Sequence, residues 1–242
     1  MNEPRGLRVA SLVPSATETL LALGLKPIAC TRFCEQPGIA TVGGTKDPHV
    51  DEIVALAPDL VVVNDEENRV EDAARLEEAG FAIHSMSPRS VAAVGPAVSA
   101  LARRVGAAVP DPFGEPAWAA WLQTSAHRGP RRRAATLIWR RPWMTMAAET
   151  YGASLLGLVG FDNVVPDDAA NRYPELTLDQ VAAFDPEVVV LPDEPYPFAE
   201  RHVDEIAAAV PQADVALVDG KDLFWWGIRT PGARARLAAQ FE

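Results

Sequence analysis

The sequence predicts an α/β protein made of two pseudo-repeated parallel-sheet lobes bridged by a single backbone helix. The main observation is an internal likeness. VDEIVALAPDLVVVNDE, Val50 to Glu66, and LDQVAAFDPEVVVLPDE, Leu178 to Glu194, align without a gap. They share an acid (Asp51, Asp179), an alanine (Ala55, Ala183), a proline (Pro58, Pro186), a valine pair and a closing Asp-Glu. Each copy reads as a short amphipathic helix, a turn at proline and a VVV strand. Continuous apolar runs suit parallel strands covered on both faces. The second observation is that each half opens the same way, with RVASL from Arg8 and RAATLIW from Arg133.

The elements follow in order. RVASLV is the first strand, Pro14-Ser15 a loop, and ATETLLALGL a helix capped by Thr17 or Ser15 and ended by Gly24. PIACT is a strand and GIATVGGTKDPH a loop. After the first repeat come a helix from Arg69 to Ala79 ended by Gly80, the strand FAIHSM, and a helix that Gly95-Pro96 starts or kinks. Proline and glycine punctuate DPFGEPAWAAWLQTSAHRGPRRR, within which AWAAWLQTSAH fits one helix. This helix is expected to bridge the lobes, giving segments 1–110, 111–128 and 129–242. The second half continues with the helix ETYGASLLGLVG, the second repeat, the helix HVDEIAAAV, the strand DVALVD and the closing helix TPGARARLAAQF.

Bulk properties narrow the function. A chain of 242 residues builds an ample core. Its formal net charge of -11 argues against a nucleic-acid partner, because phosphate binding needs a basic surface. No apolar run reaches the roughly 20 residues that a membrane helix requires. MNEPRGLRVASLVPS has no signal core, so the expectation is a cytoplasmic monomer, or a periplasmic or cell-surface one if a leader was trimmed. Cys30 and Cys34, if extended, stand about 13 Å apart, too far for a disulfide. Cys30 reads as a small core residue, and Cys34 as one that faces the ligand.

The chemistry-bearing residues are aromatic and basic. All six tryptophans lie between Trp118 and Trp226. Trp139, Arg140, Arg141, Pro142 and Trp143 directly follow a strand, where α/β folds bind ligands. Arg172, Arg201 and Arg229 sit near other aromatics and suit peripheral acids. Core packing is the simpler account of Trp118 and Trp121. Trp225 and Trp226 are adjacent on an extended segment and point to opposite sides, so burial of both in one core is not expected. The four histidines, His49, His84, His127 and His202, make no helical metal-ligand pair. His49, His202 and Glu149 could reach a free ion only from distant loops. No nucleophile elbow, P-loop or dinucleotide fingerprint is present.

The strand–VPSATE–helix opening, GGTKDPHVDEIVALAPDLVV, AGFAIH and TYGASLLGLVGFDNVV…YPELTLDQVAAFDPEVVVLP resemble the helical-backbone (class III) substrate-binding proteins of ABC importers. The likeness spans nearly the whole chain and is similar above all to the vitamin B12-binding branch, next to siderophore and haem binders. It implies a binding protein and not an enzyme, for a corrinoid, tetrapyrrole or siderophore held in an aromatic inter-lobe cleft. No covalent cofactor or directly bound metal is implied, and cobalamin or another metal chelate is the ligand. By position, the first lobe would line the cleft with Pro14, Ser15, Phe33, Cys34, Thr45 and Asn64. The second would add Trp139, Trp143, Tyr173, Tyr196, Trp225, Trp226 and Arg229. Thr45 and Asn64 stand where the cobalamin binder tends to show tryptophan, which broadens the implied ligand to a large planar one. Asp51 and Asp179 would dock onto an ABC permease; as helix N-terminal acids they equally favour the macrodipole. The alternatives are a cytosolic enzyme processing a corrinoid or metal chelate, and a free-metal-ion binding protein.

Overall fold

The computed structural model describes residues 6–167 and 171–241. Residues 1–5, the start of the segment on which the leader expectation rests, lie outside the described residues. The chain divides into two compact units. Among the described residues one comprises 6–88, 94–118 and 226–229, and the other 89–93, 119–167, 171–225 and 230–241. These boundaries are drawn at different points from the three segments expected from sequence.

The first unit runs β1 (Val9–Ser11), α1 (Pro14–Ala22), β2 (Ala29–Cys30), β3 (Ala40–Thr41), α2 (Val50–Leu56), β4 (Leu60–Val63), α3 (Val70–Glu78) and β5 (Ala82–Ser85). α4 (Val91–Arg104) follows, and its residues from Val94 onward belong here. The sheet order is β3-β2-β1-β4-β5, all parallel. β3 lies inside the stretch read as a loop. β4 is buried at all four positions, as its VVV composition requires. Val61, Val63, Ala10, Leu12, Ile53 and Leu76 share one core.

α1 starts earlier than expected. Its N-cap is Val13, with no side-chain cap, and Pro14 stands at the first turn. Proline is preset for that position and has no N–H to leave unsatisfied. α4 runs through Gly95-Pro96 without ending. Glycine is required there because the Trp118 ring lies on the helix. A Cβ at position 95 would meet Trp118 Cγ at 2.3 Å. Gly→Ala in a helix interior ordinarily stabilises by about 1 kcal/mol. Here we expect Gly95→Ala to lower the melting temperature, because the rigid ring must move; an unchanged or higher value would contradict the packing.

The second unit holds α5 (Ala117–Ser125) from Ala119 onward, then β6 (Arg132–Trp139), β7 (Met144–Thr145), α6 (Tyr151–Leu158), β8 (Phe161–Asn163), α7 (Leu178–Ala183) and β9 (Val188–Pro192). α8 (Val203–Ala209), β10 (Asp214–Val218), α9 (Gly220–Phe224) and α10 (Thr230–Phe241) complete it. The order is β10-β9-β6-β7, with β8 parallel to β6 and β7 antiparallel to it. β7 and β8 were not legible as strands: both are three residues or shorter and carry no apolar alternation.

The pseudo-repeat extends to detail. Val61 pairs with Ala10 across β4 and β1, as Val189 pairs with Ala135 across β9 and β6. The residue before each repeat's proline is left-handed, Ala57 at φ 46° and Asp185 at φ 53°. Each first strand is preceded or opened by an arginine that caps the carbonyls ending its repeat's helix. Arg8 donates to Leu56 and Ala57, and Arg133 to Phe184 and Asp185. In each case an acid after the proline, Asp59 or Glu187, accepts that arginine's backbone N–H at 2.8 Å. Orphan carbonyls at a helix C-terminus are thus satisfied by cations, in the direction the helix dipole favours.

Candidate ligand-binding site

In the first unit the carboxyl ends of the parallel strands are tied together by two asparagines. Asn64 follows β4 and is buried. Its Oδ1 accepts from the N–H groups of Glu66 (2.7 Å) and Glu67 (3.2 Å), and its Nδ2 donates to Met86 O after β5. Its own N–H donates to Asn68 Oδ1, and Asn68 Nδ2 donates to Leu12 O after β1 and to Thr45 O. Asn64 therefore spends its side chain on backbone, and Thr45 enters the network through its carbonyl. Asn68 was missed in the sequence; a buried asparagine in a loop has no periodic signal.

Beyond β2 the chain curls into a 3-10 turn, Arg32–Cys34. Phe33 projects from it and is 48% exposed. The Arg32 guanidinium lies 4.8 Å from the Phe33 ring centroid and is paired with Asp47 at 3.1 Å. The Gly43-Gly44 pair permits that approach, since a Cβ at Gly44 would meet Asp47 Oδ1 at 2.2 Å and Arg32 Nη2 at 2.7 Å. Cys34, expected to face the ligand, is 1% exposed, and its sulfur takes contacts from Thr17 (3.2 Å) and Thr31 (3.3 Å). The turn is the reason: in an extended strand Cys34 would not return to the core. Pro14 and Ser15 are buried in the first turn of α1.

The second unit carries an aromatic cluster at the carboxyl ends of β6 and β9. Trp139, the last residue of β6, is 40% exposed and meets Tyr196 edge-on at 5.7 Å. Tyr196 packs on Phe198 at 4.7 Å, and Phe198 stacks on Trp143 at 6.4 Å. Arg140 lies 5.7 Å from the Trp143 ring centroid and pairs with Glu205 at 2.8 Å. Phe198, Glu205 and Asp47 were not singled out in the sequence. Tyr173 is half-buried in the loop before α7.

His202 completes this cluster from within. It is buried, its Nδ1 accepts the Ala199 N–H at 3.0 Å, and its Nε2 lies 3.4 Å from the Tyr196 hydroxyl. Burial, with Arg201 and Arg140 nearby, pushes its pKa below the ordinary 6.5. His84 shifts the same way, through burial and Arg104. A histidine kept neutral by the fold takes up its proton more readily when unfolded. Its contribution to stability is therefore full above pH 6.5 and is lost as the pH falls below that value. Denaturant unfolding of the wild type should weaken below this pH. His202→Gln should show a flatter profile, and an identical slope in both would remove His202 as the cause.

Trp225 and Trp226 are both buried, at 9% and 4%, against the expectation that one would stay open. The boundary between the two units falls between them, Trp225 ending one segment of the second and Trp226 beginning one of the first. Lys221 lies 5.1 Å from the Trp225 ring centroid. Arg229 returns to the first unit and is held by Glu18 at 2.6 and 3.0 Å. Asp51 is exposed in the first turn of α2 and accepts from Arg75 at 3.2 Å. Asp179 is exposed in the first turn of α7, behind a Thr177–Gln180 capping box. His49 pairs with Glu52, and no group of three or more His, Cys, Asp or Glu among the described residues could hold a metal ion. No helix among the described residues is long and apolar enough to cross a membrane.

Each of the two units thus carries an exposed aromatic ring near the carboxyl ends of its parallel strands. No family model matches the chain. It is 27% identical over 212 residues to a vitamin B12-binding protein of Vibrio parahaemolyticus, covering 83% of this chain and 73% of that protein. Among solved structures, the periplasmic vitamin B12 binding protein BtuF of Vibrio cholerae superposes with a TM-score of 0.77 at 22% identity, over 96% and 95% of the two chains. The periplasmic heme-binding protein RhuT from Roseiflexus, in apo form, gives 0.77 at 19%, over 98% of each. The chain thus has the fold of these periplasmic binding proteins, and its sequence resembles their vitamin B12-binding members.

Proposed function

We propose that the chain is a non-enzymatic substrate-binding protein for a bulky metal chelate, which it passes to an ABC permease. One observation carries the reading. Each unit presents, at the carboxyl edge of its sheet, an exposed aromatic ring beside an arginine already paired with an acid: Phe33 with Arg32–Asp47, and Trp139 with Arg140–Glu205. Broad rings beside hydrogen-bonding groups suit a planar macrocycle. The paired arginines add a preference, because a ligand rich in carboxylates would have to displace Asp47 and Glu205. An amide-edged corrinoid would not, so cobalamin is favoured over haem, in line with the vitamin B12-binding relatives.

Phe33, Trp139, Trp143 and Tyr196 are the groups that would touch the ligand. Cys34, Asn64, Trp225 and Trp226 would support them from beneath, and Arg229 would act through Glu18. Asp51 and Asp179, exposed and matched between the repeats, would dock the permease. The compartment would be the periplasm or the cell surface; the solved binding proteins are periplasmic, which lends no support to a cytoplasmic site.

The test is the visible spectrum and mass spectrum of what co-purifies, followed by titration with cyanocobalamin, haemin and ferric siderophores against tryptophan fluorescence. Quenching by cyanocobalamin at lower concentration than haemin, with the ligand recovered unchanged, is the expected result. Chemical turnover of the chelate, or binding of free Zn or Mn ions alone, would overturn the reading.

A further inference from the structure

The 3-10 turn that overturns the extended reading of IACTRFC brings the two cysteines of the chain together. Cys30 and Cys34 pack in one buried cluster with Ile39, and each is 1% exposed. Both carry free thiols, and the Cys34 sulfur lies within 3.2 and 3.3 Å of the Thr17 and Thr31 hydroxyls. The three residues between them are Thr31, whose hydroxyl also meets Cys34, and the exposed pair Arg32 and Phe33. We propose that Cys30 and Cys34 are a redox modification site, forming a reversible intramolecular disulfide that staples the base of the loop carrying Arg32 and Phe33.

The chemistry needs a two-electron oxidant, and a hydroperoxide supplies it. Cys34, as its thiolate, attacks a peroxide oxygen, forming a sulfenic acid while hydroxide leaves. The Cys30 sulfur then attacks the Cys34 sulfur. The S–S bond forms, and the sulfenic hydroxyl departs with the Cys30 proton as water. In sum, two thiols and one hydrogen peroxide give one disulfide and two waters. The roles follow from the hydrogen bonds. The neighbouring Cys30 thiol and the Thr17 and Thr31 hydroxyls at its sulfur hold Cys34 below the ordinary thiol range, while the neighbouring Cys34 and burial push Cys30 up. Cys34 is therefore the thiolate and Cys30 the resolving thiol. Burial restricts entry to a small oxidant or to local opening of the turn. The disulfide is independent of the ligand reading, since it needs only the two sulfurs.

The experiment treats the full native chain with hydrogen peroxide, then counts thiols after denaturation and measures the intact mass. The expected result is loss of both thiols, a mass lower by two hydrogens, no covalent dimer, and recovery of both thiols with dithiothreitol. In Cys30→Ala, a dimedone-trappable sulfenic acid should accumulate on Cys34. Either of two outcomes in the wild type overturns the proposal: both thiols surviving conditions that fully oxidise an exposed cysteine peptide, or Cys34 passing to sulfinic acid with Cys30 still free. These wild-type measurements decide the matter even if the variant does not fold.

Discussion

Trp118→Ala is expected to destabilise the protein by about 3–5 kcal/mol, the range for a fully buried tryptophan. Trp118 is 1% exposed and stacks on Phe113 with ring centroids 5.1 Å apart and planes 19° apart. Its other face rests on α4 at Gly95, where no side chain intervenes. Ser99, on the same helix, donates to Phe113 O at 2.8 Å, so the loop and the helix are pinned on both sides of the ring. The indole removed here leaves a cavity between a helix and a loop that are already tethered and cannot collapse freely. Denaturant unfolding measures the loss. A change under about 1 kcal/mol would mean that the site collapses or is wetter than its burial implies.

Trp139→Ala should do the opposite. Its ring is 40% exposed and touches Tyr196 only edge-on, so folding gains little from it. Stability should change by less than about 1 kcal/mol, while affinity for the co-purifying chelate falls by about 1–3 kcal/mol, as for an interface anchor. Trp226→Ala is the control with the reverse signature, since a ring 4% exposed is a core residue first. Titration and thermal melts on the same two variants separate the roles. Unchanged affinity in Trp139→Ala would remove the β6 edge from the site.

The residues that sequence and structure agree on share one property: their environment is set by neighbours in the chain. The VVV runs of β4 and β9 are buried on both faces because nothing polar interrupts them. The repeat around Pro58 and Pro186 keeps its left-handed residue, its following acid and its arginine cap, so alignment alone located matching structure. Trp118 was read as core from its helical spacing and its place between breakers. The candidate site was only partly legible. Trp139, Trp143 and Arg140 stood out because they follow a strand that composition identifies.

What the sequence by itself determined, then, is the parallel α/β class and the order of the longer helices and apolar strands, though not the short strands β3, β7 and β8. Both follow from local periodicity and repetition. The tertiary structure decided which edge residues face outward and what their charges meet. Arg32 finds Asp47 fifteen positions on, Arg140 finds Glu205 sixty-five positions on, and Arg229 finds Glu18 across 211. Pairings at such separations leave no periodic trace. The same holds for Trp225 and Trp226, which are neighbours in the chain and both buried. It holds for Cys34 as well, which a single turn carries from an expected ligand-facing position into the buried cluster that holds Cys30. A long-range contact is specified by the packing of whole elements, and packing is a property of the folded chain.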